Sequence, residues 1–160
     1  MRMKRVSKVT GQPSVLQGTG RRLGLVERVL LSADGQDCAG LLLRLRGPLR
    51  RKRFVPFGSV ALWGEVAVAV RRAEKVPPAL RRQEDIRGLA VWDTAGERLG
   101  WVTDAFLDES SGRIRLLEVS QGIVDDFLRG RIHVRDFTMR PIGVVAVTED
   151  AGGESAPAES

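Results

Sequence analysis

The chain repeats itself once, and this repetition limits what it can fold into. The segment Thr19–Gly24 recurs as Ala95–Gly100. Each copy continues with an apolar run, a glycine-containing turn and a leucine-rich run, and each closes with a short valine-rich run after a glycine. A repeat of this kind predicts two copies of one supersecondary unit rather than one large domain.

The matching blocks keep nearly one spacing. Thr19 matches Ala95 in the first block and Gly64 matches Gly143 in the last, so the offset grows by only three positions. This drift indicates one short difference in loop length. In chain order the paired blocks are 25–31 and 101–107, 33–35 and 110–112, 41–45 and 114–119, and 64–68 and 143–147.

The repeated runs have the pattern of strands. In 41–46 leucine fills every odd position and the even positions end in arginine, which is typical of a half-buried strand. In 66–70 valine alternates with alanine, which predicts a strand with one large and one small face. Short helical turns are expected over 57–63 and 125–129. The prediction is an all-β fold with two small antiparallel β-barrels in tandem.

The composition predicts where the units end. Residues 6–71 form the first module and 85–150 the second, and the charged, proline-containing stretch 72–84 is the linker. The segment 151–160 consists of Gly, Ser, Ala, Pro and Glu, and we expect it to be a disordered tail.

The charge is unevenly divided. Residues 1–80 carry sixteen Lys and Arg against five Asp and Glu, whereas 81–160 carry ten against fifteen. Two surfaces of opposite sign suggest different partners. The alternative is that the two halves attract each other, or that copies of the chain associate head to tail into a homo-oligomer.

The repeated glycines and apolar positions resemble the PRC-barrel family. The matching residues of the first copy are Gly20, Leu23, Gly24, Val26, Val55, Pro56, Gly64 and Val68. Those of the second copy are Gly96, Leu99, Gly100, Val102, Ile142, Gly143 and Val147. The first copy departs at Trp63, where isoleucine is commoner, and the second at Val134-Arg135, where the family often has proline. Together the matches span most of 6–150.

This resemblance implies a small antiparallel barrel of about six strands in each copy. The family includes the cytoplasmic part of the photosynthetic reaction-centre H subunit, a ribosome-maturation factor that binds a ribosomal protein, and small sporulation-associated proteins. Their common property is protein docking, so the resemblance implies an adaptor by analogy.

Candidate catalytic and cofactor residues have simpler structural interpretations. Residues 18–24 are one residue too long for a dinucleotide fingerprint and precede a strand, so a hairpin turn is expected. His133 is the only histidine, and it has no second histidine for a metal site or a triad. Cys38 is the only cysteine, and entry into an apolar strand favours a buried structural thiol. We therefore expect no enzyme activity and no cofactor.

The acidic clusters also have structural interpretations. Asp104, Asp108 and Glu109 precede a Ser-Ser-Gly turn without the spacing of a calcium loop, which favours a solvated turn. The group Asp125, Asp126 and Arg129 similarly indicates a solvated helical turn.

A run of cations is the strongest candidate interaction surface. It comprises Arg44, Arg46, Arg50, Arg51, Lys52 and Arg53. The run flanks a Gly-Pro pair, so a loop or hairpin tip is expected. Guanidinium groups bind carboxylates and phosphates well, so the candidates are an acidic protein surface, nucleic acid and anionic lipid, beside a merely solvated loop.

These observations predict a non-enzymatic adaptor with an unidentified protein partner. The alternatives are an RNA- or ribosome-associated factor that binds through the basic first module, and a protein attached to an anionic membrane surface. The cytoplasm is the expected location, because no apolar run is long enough to cross a bilayer and no signal-peptide core follows the basic start.

Overall fold

A computed structural model describes residues 2–147, and the expected disordered tail at 151–160 lies outside this range. The first sheet contains β2 (Pro13–Leu16), β3 (Arg22–Leu31), β4 (Cys38–Leu45), β5 (Lys52–Pro56), β6 (Val60–Trp63) and β7 (Val68–Val70). The second contains β8 (Ala90–Trp92), β9 (Arg98–Asp108), β10 (Ile114–Ser120), β11 (Ile132–Val134), β12 (Asp136–Arg140) and β13 (Gly143–Val147), with β1 (Met3–Arg5) paired to β9. The helices are α1 (Val6–Val9) and α2 (Ile123–Arg129), with 3-10 turns at Phe57–Ser59 and Pro78–Leu80.

The all-β prediction is confirmed, but the sheets are mixed rather than purely antiparallel. Strand order is β5-β4-β3-β2-β7-β6 in the first sheet and β11-β10-β9-β8-β13-β12 in the second. In each sheet two strands from opposite ends of the module lie side by side and run parallel, β2 with β7 and β8 with β13. The parallel pair arises because the last strand of each sheet returns to lie beside the first, a non-local pairing that alternation along a strand does not predict.

The two sheets share a register as well as an order. Gly24 and Gly100, which the repeat matches to each other, pair with Ser14 and Val91. These two residues in turn pair with Val68 and Val144, so the last strands keep the offset that separates Gly24 from Gly100. The alignment of 64–68 with 143–147 is therefore wrong by three positions. The positions 64–67 form the β6–β7 turn.

The three additional positions of offset between the two copies occur at β5 and β11. Leu41 pairs with Val55 and Leu117 with Val134, which places β5 and β11 three positions further apart than the strands on either side of them. The loop before β11 is longer because it contains α2, and the connection after β11 is shorter because it lacks the 3-10 turn at Phe57–Ser59. Insertion and deletion cancel, so the flanking strands keep the same spacing.

The β3–β4 and β9–β10 turns bind each other through equivalent hydrogen bonds. Cys38 donates its N–H to the carbonyl of Gly112 at 2.7 Å, and Ile114 donates to the carbonyl of Gln36 at 2.8 Å. Cys38 and Ile114 are related by the offset of the repeat, as are Gln36 and Gly112. One continuous core of buried residues, from Val6 to Ala146, spans both sheets. The sheets therefore fold against each other rather than as separate units.

A segment outside each repeated set of six strands packs against that set. Glu74 exchanges two backbone hydrogen bonds of 2.7 Å with Phe54, and Val76 and Leu80 pack on the outer cluster of the first sheet. On the second sheet β1 pairs with the end of β9, and Met3 of β1 packs with Phe106 and Leu116. Leu42 is consequently buried, so the prediction of a half-buried strand over 41–46 is wrong for this position.

Candidate functional site

The β4–β5 hairpin exposes most of the predicted cationic run at its tip. Arg44 lies near the end of β4, and Arg46, Arg50 and Arg51 lie in the loop, all with exposed side chains. Within residues 2–147 no carboxylate forms an ion pair with these four arginines. Leu49, in the same loop, is 72 % exposed. We call the loop 46–51 with Arg44 the basic tip.

The remaining two cations of the run belong to a different surface. Lys52 and Arg53 begin β5, and Lys52 Nζ lies 3.0 Å from a carboxylate oxygen of Glu27. A groove of about 370 Å³ adjoins them. It is lined by Leu42, Lys52, Arg53, Lys75, Val76 and Arg81. Two of its cations come from the segment interpreted as a plain linker, so the sequence analysis missed them.

The equivalent hairpin of the second sheet has an apolar tip instead. The loop 121–131 between β10 and β11 contains α2, whose exposed apolar side chains are 69–88 % accessible. They are Ile123, Val124, Phe127 and Leu128. Their spacing places them on one face of the helix. We call this face the apolar tip.

Asp126 holds the other side of α2 against the sheet. Its carboxylate accepts hydrogen bonds from Ser120 Oγ and from the backbone N–H of Gln121, and it lies 3.7 Å from Arg131 Nε. The expectation that 125–129 forms a helical turn is confirmed, but Asp126 is engaged rather than simply solvated. Because the polar side of α2 faces the protein, its apolar side is left in solvent.

Charged residues form a row across three strands of the second sheet. Glu118 in β10 pairs in register with Asp104 in β9 and with His133 in β11. Arg5 Nη1 lies 3.3 Å from the carboxylates of both Asp104 and Glu118, and Arg131 Nη1 lies 2.7 Å from Glu118. The basic start of the chain therefore neutralises part of the acidic half.

Glu118 is the centre of this row. Burial disfavours its charged form, but hydrogen bonds from Arg131 and Thr103 and the charge of Arg5 together hold the pKa of Glu118 below its ordinary value. His133 Nε2 lies 3.7 Å from the same carboxylate, and the His133 side chain is only 9 % exposed. The row is a structural ionic network shielded by β1.

The predicted solvated turn at 104–109 is wrong for two of its carboxylates. Asp104 is buried within β9 and accepts hydrogen bonds from the N–H and hydroxyl of Ser7. Asp108 is also buried and caps the following turn by accepting from the N–H groups of Ser110 and Ser111. These backbone hydrogen bonds lower the pKa of Asp108. Spacing alone did not reveal that β1 and α1 cover this strand.

Two other candidates have the local structure that was expected. Residues 17–21 form the β2–β3 turn, and residues 22–24 are the first residues of β3. Cys38 is buried, and desolvation raises the pKa of its thiol to about 12, so the thiolate is strongly disfavoured at neutral pH.

The described part of the chain offers neither a metal cluster nor a membrane-spanning helix. Residues 2–147 contain no group of three His, Cys, Asp or Glu side chains placed to hold a metal ion. None of the helices in this range has the length and apolar character needed to cross a membrane.

Comparison with known proteins gives one result for the second sheet. Residues 80–150 match the family model for the PRC-barrel domain. This range contains β8 to β13. No curated protein matches the chain.

Proposed function

Since residues 80–150 carry a PRC-barrel domain, we propose that the chain is a non-enzymatic adaptor built from two PRC-barrel-like modules in tandem. The first module, 6–71, is assigned from the shared strand order and register of the two sheets. The segment 72–84 joins it to the second module, 85–150. In this proposal the six strands β2 to β7 form one small barrel, and the six strands β8 to β13 form the other.

The observation that carries the adaptor role is the difference between the two tips. The loops 46–51 and 121–131 connect equivalent strands of the two sheets. One presents guanidinium groups without carboxylate partners in the described chain, and the other presents apolar side chains that are 87 % exposed at Phe127 and 88 % at Ile123. Exposed apolar faces of this kind mark protein interaction sites. Two unlike tips on one shared core suit a protein that holds two partners, or two surfaces of one partner.

The chemistry of the other candidate residues supports a binding role over catalysis. Cys38 is protonated at neutral pH and is buried from solvent. His133 is enclosed beside Glu118 within the ionic row. A catalytic base must reach a substrate proton, and neither residue is placed to do so. Enzymatic turnover that depends on His133 or Cys38 would contradict the proposal.

The test is capture of partners from a native-type lysate with the full tagged chain, with and without nuclease, at low and moderate salt. We expect a specific protein that survives both treatments. Arg46→Glu with Arg51→Glu should remove partners of the basic tip, and Phe127→Ser with Leu128→Ser those of the apolar tip. Matched controls are Arg113→Glu with Arg140→Glu, and Leu62→Ser with Val66→Ser, which change exposed residues outside the two tips.

If the test and control variants lose captured partners to the same extent, the tips have no specific role in binding. Sedimentation of the wild-type and Phe127→Ser, Leu128→Ser proteins separates a second copy of the chain from a different partner. A homo-oligomer that dissociates in this variant would make self-association the role of the apolar tip.

A second candidate function is RNA or ribosome association through the basic tip. Four exposed arginines without carboxylate partners in the described chain favour it, because phosphate contacts supply most of non-specific affinity for nucleic acid. It predicts capture that is lost with nuclease, weakens steeply with salt, and is abolished by Arg46→Glu with Arg51→Glu. Flotation with vesicles of acidic lipid tests the third candidate, attachment to an anionic membrane surface. Each of these roles is compatible with a cytoplasmic location.

A further inference from the structure

The outer edge of β5 is closed by the linker at one residue and open at the next position that faces outward. β5 is the end strand of the first sheet. At Phe54 the N–H and C=O both bind Glu74 at 2.7 Å. Backbone groups of an antiparallel strand alternate in direction, so the N–H and C=O of Lys52 face the same way as those of Phe54. Among residues 2–147 these two groups of Lys52 have no backbone partner on that side.

The linker turns away from β5 at two prolines. After Glu74 the linker reaches Val76, followed by Pro77 and Pro78, and then forms a 3-10 turn. In the antiparallel register that joins Glu74 to Phe54, Val76 is the residue opposite Lys52. Proline has no N–H to donate to a ladder, so the linker cannot continue as a strand beyond Val76. The carbonyl of Val76 accepts instead from Arg81 Nε at 3.5 Å. The segment therefore leaves the edge at the place where the groove lies.

The residues that line the groove indicate which kind of ligand would fit it. Half-buried Val76 supplies apolar surface beside buried Leu42, and Lys52, Lys75 and Arg81 supply positive charge. Lys75 and Arg81 are exposed, and no carboxylate of residues 2–147 pairs with either one. An apolar side chain flanked by carboxylates would complement these surfaces. An open edge that offers one N–H and one C=O matches the backbone of an extended peptide, which has the same alternating groups.

The same features distinguish a peptide from a nucleic acid. Binding of single strands combines cations with aromatic side chains on which bases stack. The lining of this groove contains no aromatic side chain, and nearby Phe54 is only 5 % exposed. A phosphate backbone also has no N–H to give to the carbonyl of Lys52.

We propose that this groove binds an extended acidic peptide segment of a partner protein, which adds to the edge of β5 at Lys52 and packs an apolar side chain on the exposed part of Val76. Lys75 and Arg81 bind carboxylates of the peptide. The inference rests on the proposed adaptor function and names the chemistry of one partner.

The probe is a fluorescein-labelled peptide of about nine alternating glutamates and valines, long enough to span the edge. Anisotropy measures its binding to the full chain. Lys75→Glu with Arg81→Glu should weaken binding by about tenfold or more, because both charges reverse. The control, Arg21→Glu with Arg22→Glu, has the same net charge and two exposed sites outside the groove, and should weaken it by less than about twofold. Circular dichroism and thermal melting confirm that both variants fold.

A second measurement separates strand addition from simple charge attraction. A peptide of the same sequence, N-methylated at alternate amides on the side that faces β5, should lose binding, and the unmodified peptide should slow hydrogen exchange at the Lys52 amide. Equal affinity of the two peptides, equal losses in the two double variants, or tighter binding of an oligouridylate of equal charge would each overturn the proposal.

The outcomes also separate this inference from the adaptor function. Capture of a partner by the tips with no peptide binding at the groove rejects the groove alone. Peptide binding that passes the variant and N-methyl tests, in a chain that captures no cellular protein, supports the groove and rejects the adaptor function.

Discussion

Leu42 and Glu118 occupy the same position in the two sheets, although one is buried in an apolar layer and the other in an ionic one. Leu42 pairs in register with Phe54, and Glu118 pairs with His133. Phe54 and His133 also occupy equivalent positions, in β5 and β11. The linker covers Leu42 with Val76 and Leu80, whereas Arg5 of the preceding segment approaches Glu118. The covering segment and the covered position are thus matched in chemistry on each sheet.

Removing Glu118 tests the ionic layer. Glu118→Ala leaves Arg5 and Arg131 without their shared carboxylate, and we expect a loss of about 1–3 kcal/mol in the free energy of unfolding. The control Glu27→Ala breaks the partly exposed pair with Lys52 and should cost less than about 1 kcal/mol. Urea denaturation measures both. Equal small losses would mean that the row contributes no more than a surface ion pair.

The same carboxylate predicts how stability depends on pH. The pKa of Glu118 is lower in the folded chain than its ordinary value of 4.5. A lowered pKa means that the stabilisation is complete above the unfolded value and is lost as pH falls through the folded value. The difference in unfolding free energy between wild type and Glu118→Gln should therefore be constant near neutral pH and shrink below about pH 5. A difference that grows on acidification would contradict this assignment. Asp85 and Asp108, whose pKa values are also lowered, are common to both proteins.

Gly100 is required by a close backbone approach. A Cβ atom there would lie 1.9 Å from the carbonyl oxygen of Ser120, and the backbone has φ +154. Gly100→Ala should destabilise the chain by about 2–4 kcal/mol, because the β9–β10 pairing must shift. Gly96→Ala is the control: its φ is +85, but nothing lies within 4 Å of the added atom. It should cost about 1–2 kcal/mol from backbone strain alone. Thermal melting compares the two, and a Gly96 variant that is the less stable would refute the packing argument.

Cys38 should be unreactive while the chain is folded. Its thiol is buried with a pKa of about 12, so we expect thiol reagents at neutral pH to label it at the rate of global or local opening. Labelling in denaturant should be fast. Rapid modification under native conditions, at a rate that follows reagent concentration, would show that the β3–β4 turn opens readily.

The sequence by itself determined the repeat, its strands and its turns. Gly24 and Gly100 could be matched because a close backbone approach in each hairpin permits no side chain. Alternating leucines over 41–46 and valines over 66–70 predicted β4 and β7, since burial of one face imposes a period of two. The match of residues 80–150 to the PRC-barrel domain confirms the resemblance for the second copy.

The candidate site was predicted only in part, because residues that are distant in the chain can form one surface after folding. The basic tip could be found since its arginines are close in the chain. The groove could not, because Lys75 and Arg81 reach Lys52 only when Glu74 pairs with Phe54. The apolar tip was missed because the inward role of Asp126 decides which side of α2 faces solvent.

The tertiary structure alone decided which strands pair in parallel, which segment packs on each sheet, and that Asp104 is buried. Each depends on contacts between residues far apart in the chain, such as Ser7 with Asp104 and Ser14 with Val68. Local pattern reports whether a side chain has an apolar or polar preference, but burial depends on which distant segment packs over it. The sequence therefore determined the repeated strands and turns, and the packing between them determined which residues are left to meet a partner.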